Sequence, residues 1–240
     1  MMKTRIRFTK TGSMRFVGHL DLMRFFQKAL RRAEFDVAYS QGYSPHQIMS
    51  FASPLGIGQT TDGDYLDVEF ASLMEMSKEE ILQKMNKAMT DEIIATDLVI
   101  MPDKSKTSMA LLCRADYVIC WKEEENVPND LKKKFSEYMD QQEIVITKKT
   151  KKSEITEDVK PLIYQYSFAM DEFAKKTGHS YTEMHRVYED SENELYLQLA
   201  AGSSLTINPG VIVDDFLKFA GILQEPFSYQ IHRMEMYFNE

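Results

Sequence analysis

Cysteine is almost absent from this chain: Cys113 and Cys120 are the only two in 240 residues. Two thiols cannot build the disulfide framework of a small secreted domain. They stand seven apart with no histidine beside them, which is not a zinc-knuckle spacing. On a strand an odd separation puts them on opposite faces, so two ordinary thiols are expected. Long apolar stretches are missing too. Runs such as Leu98-Val99-Ile100-Met101 fall far short of the roughly 18 residues that span a bilayer. The opening MMKTRIRF lacks the apolar region of a signal peptide. These absences point to a cytoplasmic protein with no membrane contact. Catalytic and metal signatures are lacking as well. His179 and His185 flank Glu183 but do not match HExxH. Gly56 and Gly58 in SPLGIG lack the GKS or GKT of a phosphate-binding loop. Ser203-Ser204 lack a nucleophile-elbow glycine pattern. No metal site is expected.

What is present is an ordinary globular composition, 43% hydrophobic and 28% charged. The length suits one large domain or two of about 100–120 residues. Sixteen methionines are many, but positions such as Met85, Met89 and Met236 read as packing. Net charge is −8, yet it is unevenly spread. Residues 1–50 carry nine Lys or Arg against three Asp or Glu, a balance of +6. The other 190 residues therefore carry −14. Such asymmetry suggests a local anion-binding or nucleic-acid surface; pairing of basic and acidic halves would be the structural alternative.

The period-two pattern of Lys3 to Thr9 predicts a half-buried strand with Arg5 and Arg7 on its exposed side. Residues 18–35, GHLDLMRFFQKALRRAEF, predict the strongest helix. Leu22, Phe25, Phe26, Ala29, Leu30 and Ala33 share one face, and Arg24, Lys28, Arg31 and Arg32 the other. A short strand near Val37–Tyr39 and a long loop through Asp62-Gly63 follow, then a strand over Asp64–Phe70. Ser77 with Glu80 predicts a capping box. A helix to about Met89 and a strand over Glu92–Met101 complete a β-α-β-β-α-β order, the ferredoxin-like pattern. Residues 102–106 read as a linker between a domain at 1–102 and a second at 107–240. The second half predicts strands at 111–122, 143–148, 155–169, 194–200 and 229–238, with helices at 128–142 and 211–220. Asn129 is a candidate cap and Lys148–Lys152 a hairpin tip. The expected fold is α+β, two ferredoxin-like domains in tandem, the second with an added strand.

Two features could carry function. Arg15, Arg24, Lys28, Arg31 and Arg32 gather cations without acidic partners four residues away, which suits a phosphate backbone. The loop AYSQGYSPHQ, residues 38–47, offers Tyr39, Tyr43 and His46 for stacking on unpaired bases, with Ser40 and Gln41 for base edges or phosphates. His19 at the start of the basic helix is a phosphate contact or, paired with His46, the acid and base of a metal-independent endoribonuclease. Asp21 reads as compensation of the helix dipole. At Asn208-Pro209-Gly210 a helix begins, but Asp214 and Asp215 would repel an anion.

Residues 5–46, RIRFTKTGSMRFVGHLDLMRFFQKALRRAEFDVAYSQGYSPH, resemble the radical-SAM-linked bacterial proteins of unknown function. The resemblance continues through FASPLGIGQTTDGDYLDVEF at 51–70, and EDVKPLIYQYSF at 157–168 looks like a later segment of that family. It implies a separate cobalamin-binding radical-SAM enzyme as partner. This chain lacks the CxxxCxxC that holds the iron–sulfur cluster. The resemblance therefore implies an accessory subunit that binds no cofactor of its own. Arg15, His19, Asp21, Arg24, Arg31, Arg32, Ser40, Gln41, Gly42, Pro45 and His46 are the positions that match, and no catalytic set carries over. The expected function is an RNA-associated accessory protein. An endoribonuclease using His19 and His46 and a protein–protein adaptor without RNA contact are the alternatives.

Overall fold

The computed structural model describes residues 1–73, 75–121, 127, 130–149, 154–181, 193–202, 205–222 and 227–239. The fold is α+β. In the first half, β1 (Met2–Lys10) leads through a 3-10 turn (Gly12–Phe16) into α1 (His19–Arg32). Then come β2 (Asp36–Val37), β3 (Met49–Phe51), β4 (Thr60–Ser72), α2 (Lys78–Lys87) and β5 (Ile93–Met101). The second half holds α3 (Ser108–Leu111), β6 (Leu112–Trp121), α4 (Leu131–Asp140), β7 (Val145–Lys149), β8 (Glu154–Asp158) and β9 (Ile163–Ser167). It ends with α5 (Met170–Thr177), β10 (Glu194–Ala200), α6 (Pro209–Phe219) and β11 (Tyr229–Phe238). Among the described residues no helix is long and apolar enough to cross a membrane.

One nine-stranded sheet runs through both halves in the order β5-β1-β4-β11-β6-β10-β9, with β2 and β3 also on β4. Within each half the strand order is fourth-first-third-second: β5-β1-β4-β2/β3, and β11-β6-β10-β9. Neighbours within each half are antiparallel. β7 and β8 form a separate hairpin.

Each half buries its own apolar core. In the first, Ile6 and Phe8 of β1 meet Leu66, Val68 and Phe70 of β4 under Leu22, Phe26 and Leu30 of α1. The Phe8 and Phe26 ring centroids lie 4.9 Å apart, edge to face. Burying a side chain such as Phe26 contributes about 1.5–3 kcal/mol. In the second, Phe135 of α4 and Phe216 of α6 meet at 4.9 Å over Ile119, Leu197 and Leu199. The Ser77 capping box is present: Ser77 Oγ accepts from Glu80 N, and Glu80 Oε2 accepts from Ser77 N at 2.7 Å.

Several expectations need correction. Arg5 and Arg7 are not on a solvent face. Arg5 Nε lies 3.0 Å from Asp67 Oδ1, its cross-strand partner, and Arg7 Nη2 lies 3.0 Å from Glu235 Oε2 of β11. Alternation reports two faces, but not what covers the second. Asp62-Gly63 is not a turn; both lie inside β4. The long loop contains β3, and α5 was not anticipated. The expected cap Asn129, along with Glu183, His185 and Ser203-Ser204, lies outside the described residues. So do residues 150–152 of the lysine run, whose first members Lys148 and Lys149 end β7.

The two halves meet at a charged seam. β11 pairs with β4 in parallel only at His232↔Thr60 and Arg233↔Thr61. The imidazole of His232 is completely buried, with Nδ1 2.8 Å from Thr60 Oγ1 and Nε2 3.1 Å from Asp62 Oδ2. Arg233 pairs with Asp64 at 2.9 Å and donates to the Pro54 carbonyl at 3.1 Å. Tyr65 donates to Glu235 at 2.7 Å. Arg233 with Asp64 and Arg7 with Glu235 are the opposite-charge pairs of this seam, as burial of such groups requires.

Candidate nucleic-acid interface

Helix α1 turns Leu22, Phe26, Ala29 and Leu30 inward, which leaves Arg24, Lys28, Arg31 and Arg32 exposed on the opposite side. Their environments differ. Arg24 Nη1 lies 2.9 Å from Asp21 Oδ1, but both side chains are two-thirds exposed, so the pair stabilises little. Arg32 donates to the Ala88 carbonyl at 2.6 Å and ties the ends of α1 and α2 together. The side chains of Lys28 and Arg31 form no hydrogen bond or ion pair with any other described residue. A cleft of about 610 Å³ continues this surface where the two helices end, lined by Arg32, Glu34, Lys84 and Lys87.

Arg15 lies on the 3-10 turn before α1. Its guanidinium stacks on Phe16 at 4.5 Å and donates to the Gly12 carbonyl at 3.0 Å. Glu92 holds that turn. Its carboxylate accepts from the Ser13 hydroxyl at 2.7 Å and from the backbone N–H groups of Ser13 and Met14 at 2.9 and 3.0 Å. The Ser13 hydroxyl bond, above all, keeps the Glu92 carboxyl below its ordinary value.

The segment between β2 and β3 is a small hairpin, closed by a Tyr39–Gln47 bridge. Ser40 Oγ lies 2.9 Å from His46 Nδ1, and Ser40 N donates to the His46 carbonyl at 2.8 Å. Ser40 is thereby engaged within the hairpin. Tyr39, Gln41, Tyr43 and His46 are exposed, Tyr43 completely. His19 is placed elsewhere, its ring edge-on to Phe51 at 5.3 Å. No hydrogen bond or ring contact among the described residues joins His19 to His46.

The structure also gathers residues that no motif announces. Tyr181 and Tyr237 donate to the buried Asp116, which also accepts from Gln198 at 2.9 Å. Burial, chiefly, pushes both phenols up, so they remain donors. His179 packs on Tyr181 at 4.8 Å and approaches Glu235 at 3.9 Å. These groups come from parts of the chain far apart in sequence, so local sequence carries no sign of them. Among the described residues no group of three His, Cys, Asp or Glu could hold a metal ion. Cys113 and Cys120 are not joined by a disulfide.

No curated protein matches this chain. Residues 3–209, well over half of it, match the model of a family described as an uncharacterized protein conserved in bacteria (DUF2344). The chain belongs to that family.

Proposed function

We propose that this chain is an RNA-associated accessory protein that holds its ligand through the outer face of α1 and the hairpin at 39–47. One observation carries the reading. The basic first segment divides into two sets of cations. Arg5, Arg7 and Lys10 are turned inward; the two arginines are paired with acids, and the buried Lys10 ammonium donates to the Val17 carbonyl at 2.9 Å. The side chains of Lys28 and Arg31 stay exposed and form no ion pair with any described residue. An uncompensated row of cations on one helix face suits a phosphate backbone. The exposed Tyr39, Tyr43 and His46 add rings on which unpaired bases stack.

The tandem ferredoxin-like reading belongs with this function, since such sheets with basic helices commonly carry RNA. It is supported by the fourth-first-third-second strand order in each half. β7–β8 and α5 are then additions to the second unit. The resemblance of residues 5–46 and 51–70 supplies the partner, a separate cobalamin-binding radical-SAM enzyme that would modify the RNA presented.

Reversing two charges tests the reading. The double variant Lys28→Glu, Arg31→Glu is expected to weaken binding of labelled cellular RNA by about tenfold or more and to lower the salt slope by about two. Both positions are exposed, so the melting temperature should hold. Unchanged affinity would overturn the assignment. Capture of a radical-SAM enzyme without RNA, by a chain that binds none, would replace it with a protein adaptor.

A further inference from the structure

A second cleft, of about 250 Å³, lies beside the 3-10 turn, and Arg15, Phe16, Ile57, Gln59, Phe227 and Gln230 are among its lining residues. It differs from an ordinary surface dimple in three ways. Large apolar side chains stand open around it: Phe16 is 56% exposed, Ile57 71% and Phe227 86%. Phe227 holds a left-handed backbone, with φ 62°. That conformation is costly for an aromatic residue and collects at functional sites. Finally, both lining amides retain hydrogen-bonding capacity. Gln59 makes no side-chain hydrogen bond with another described residue. Its amide lies over Gly56, where a Cβ would come within 2.9 Å of it.

The orientation of Gln230 is set from inside the protein. His232 lies between Asp62 and Thr60, its Nε2 3.1 Å from Asp62 Oδ2 and its Nδ1 2.8 Å from Thr60 Oγ1. Thr60 Oγ1 accepts from Gln230 Nε2 at 3.1 Å. What remains of the Gln230 amide is its carbonyl oxygen, an acceptor. The cleft therefore offers rings for stacking, a fixed acceptor, a free amide able both to donate and to accept, and a guanidinium at one wall.

We infer that this cleft is a slot for one unpaired base of a bound RNA whose edge carries an exocyclic amine beside an accepting ring nitrogen, as adenine and cytosine do and uracil does not. Gln230 Oε1 accepts from the exocyclic amine, Gln59 donates to a ring nitrogen, and Phe16 or Phe227 covers the base face. Uracil has no exocyclic amine to give. Asp62, His232 and Thr60 act as positioning residues. The inference refines the RNA reading above and rests on it for the source of the base.

Two measurements on the full chain separate this inference from that reading. Saturation-transfer NMR with free nucleosides is expected to show adenosine bound and uridine not. Anisotropy with single-stranded oligo(A) and oligo(U) should show adenine preferred by about tenfold. Phe227→Ala, at an exposed position, should weaken oligo(A) binding about tenfold with the salt slope unchanged. Thr60→Val frees the Gln230 amide to turn, and the preference should collapse. If that variant fails to fold, Gln59→Ala carries the same readout. Lys28→Glu, Arg31→Glu should weaken both oligonucleotides while keeping their ratio. Equal response to adenosine and uridine, or silence from both, would overturn the slot even if RNA binds. A specific adenosine signal without RNA binding would keep the slot and overturn the basic-face reading.

Discussion

Gly63 lies where β4 meets β11, and its missing side chain is a condition of that meeting. A Cβ there would stand 2.6 Å from the Met234 carbonyl oxygen and 2.8 Å from Glu235 Cα. Gly63→Ala is expected to destabilise the chain by about 1–3 kcal/mol, seen as a lower denaturant midpoint; an unchanged midpoint would contradict the seam. In the sequence the same Asp62-Gly63 reads as a turn, because those residue types favour turns and the partner strand lies some 170 positions away. Arg5 and Arg7 teach a related lesson. Their period-two placement is visible, but Asp67 and Glu235, which neutralise them, are visible only in three dimensions. Lys28 and Arg31 could be read correctly, because an exposed helix face depends on spacing alone.

At the scale of elements, local contacts decide what was legible. α1 follows from its spacing, and Phe26 is its anchor against Phe8 and Phe51. Phe26→Ala is expected to cost about 3–5 kcal/mol by chemical denaturation; a loss below that range would mean α1 is not held by this core. The Ser77–Glu80 box was legible because its partners are three residues apart. α5 was not, since it buries only Phe173, against Tyr181 and Tyr196 that other parts of the chain supply. The 3-10 turn carrying Arg15 depends on Glu92, about eighty residues onward. The Glu92 carboxyl is held below its usual 4.5 in the folded chain. Its ionised form is therefore favoured by folding, and the stabilisation is present above pH 4.5 and lost as pH falls through the lowered value. Melting curves of the wild type and Glu92→Gln are expected to differ at neutral pH and to converge on acidification. A difference that persists in acid would show that Glu92 acts by some other route.

For the whole molecule, the important fact is that one nine-stranded sheet joins two halves, each with a main core of its own. The described halves share only two paired positions of strand, reinforced by buried ion pairs and the His232–Thr60–Asp62 bonds. The order of elements in the first half was legible from patterning except for β3, which lies inside the expected loop; the joining of the sheets was not, because it depends on the last strand returning to the first half. The same return sets Gln230 beside Arg15 and Phe16, so the cleft proposed to hold a base draws on both halves. The acidic excess lies in the second half and leaves the outer face of α1 basic. A protein of net charge −8 that binds RNA must do so through such a local surface. The most direct test is to titrate salt against binding of the purified full chain to labelled cellular RNA. Binding that weakens steeply and linearly in log–log form is the expected result, with a slope corresponding to several phosphate contacts. No binding at low salt, or binding indifferent to salt, would contradict the account.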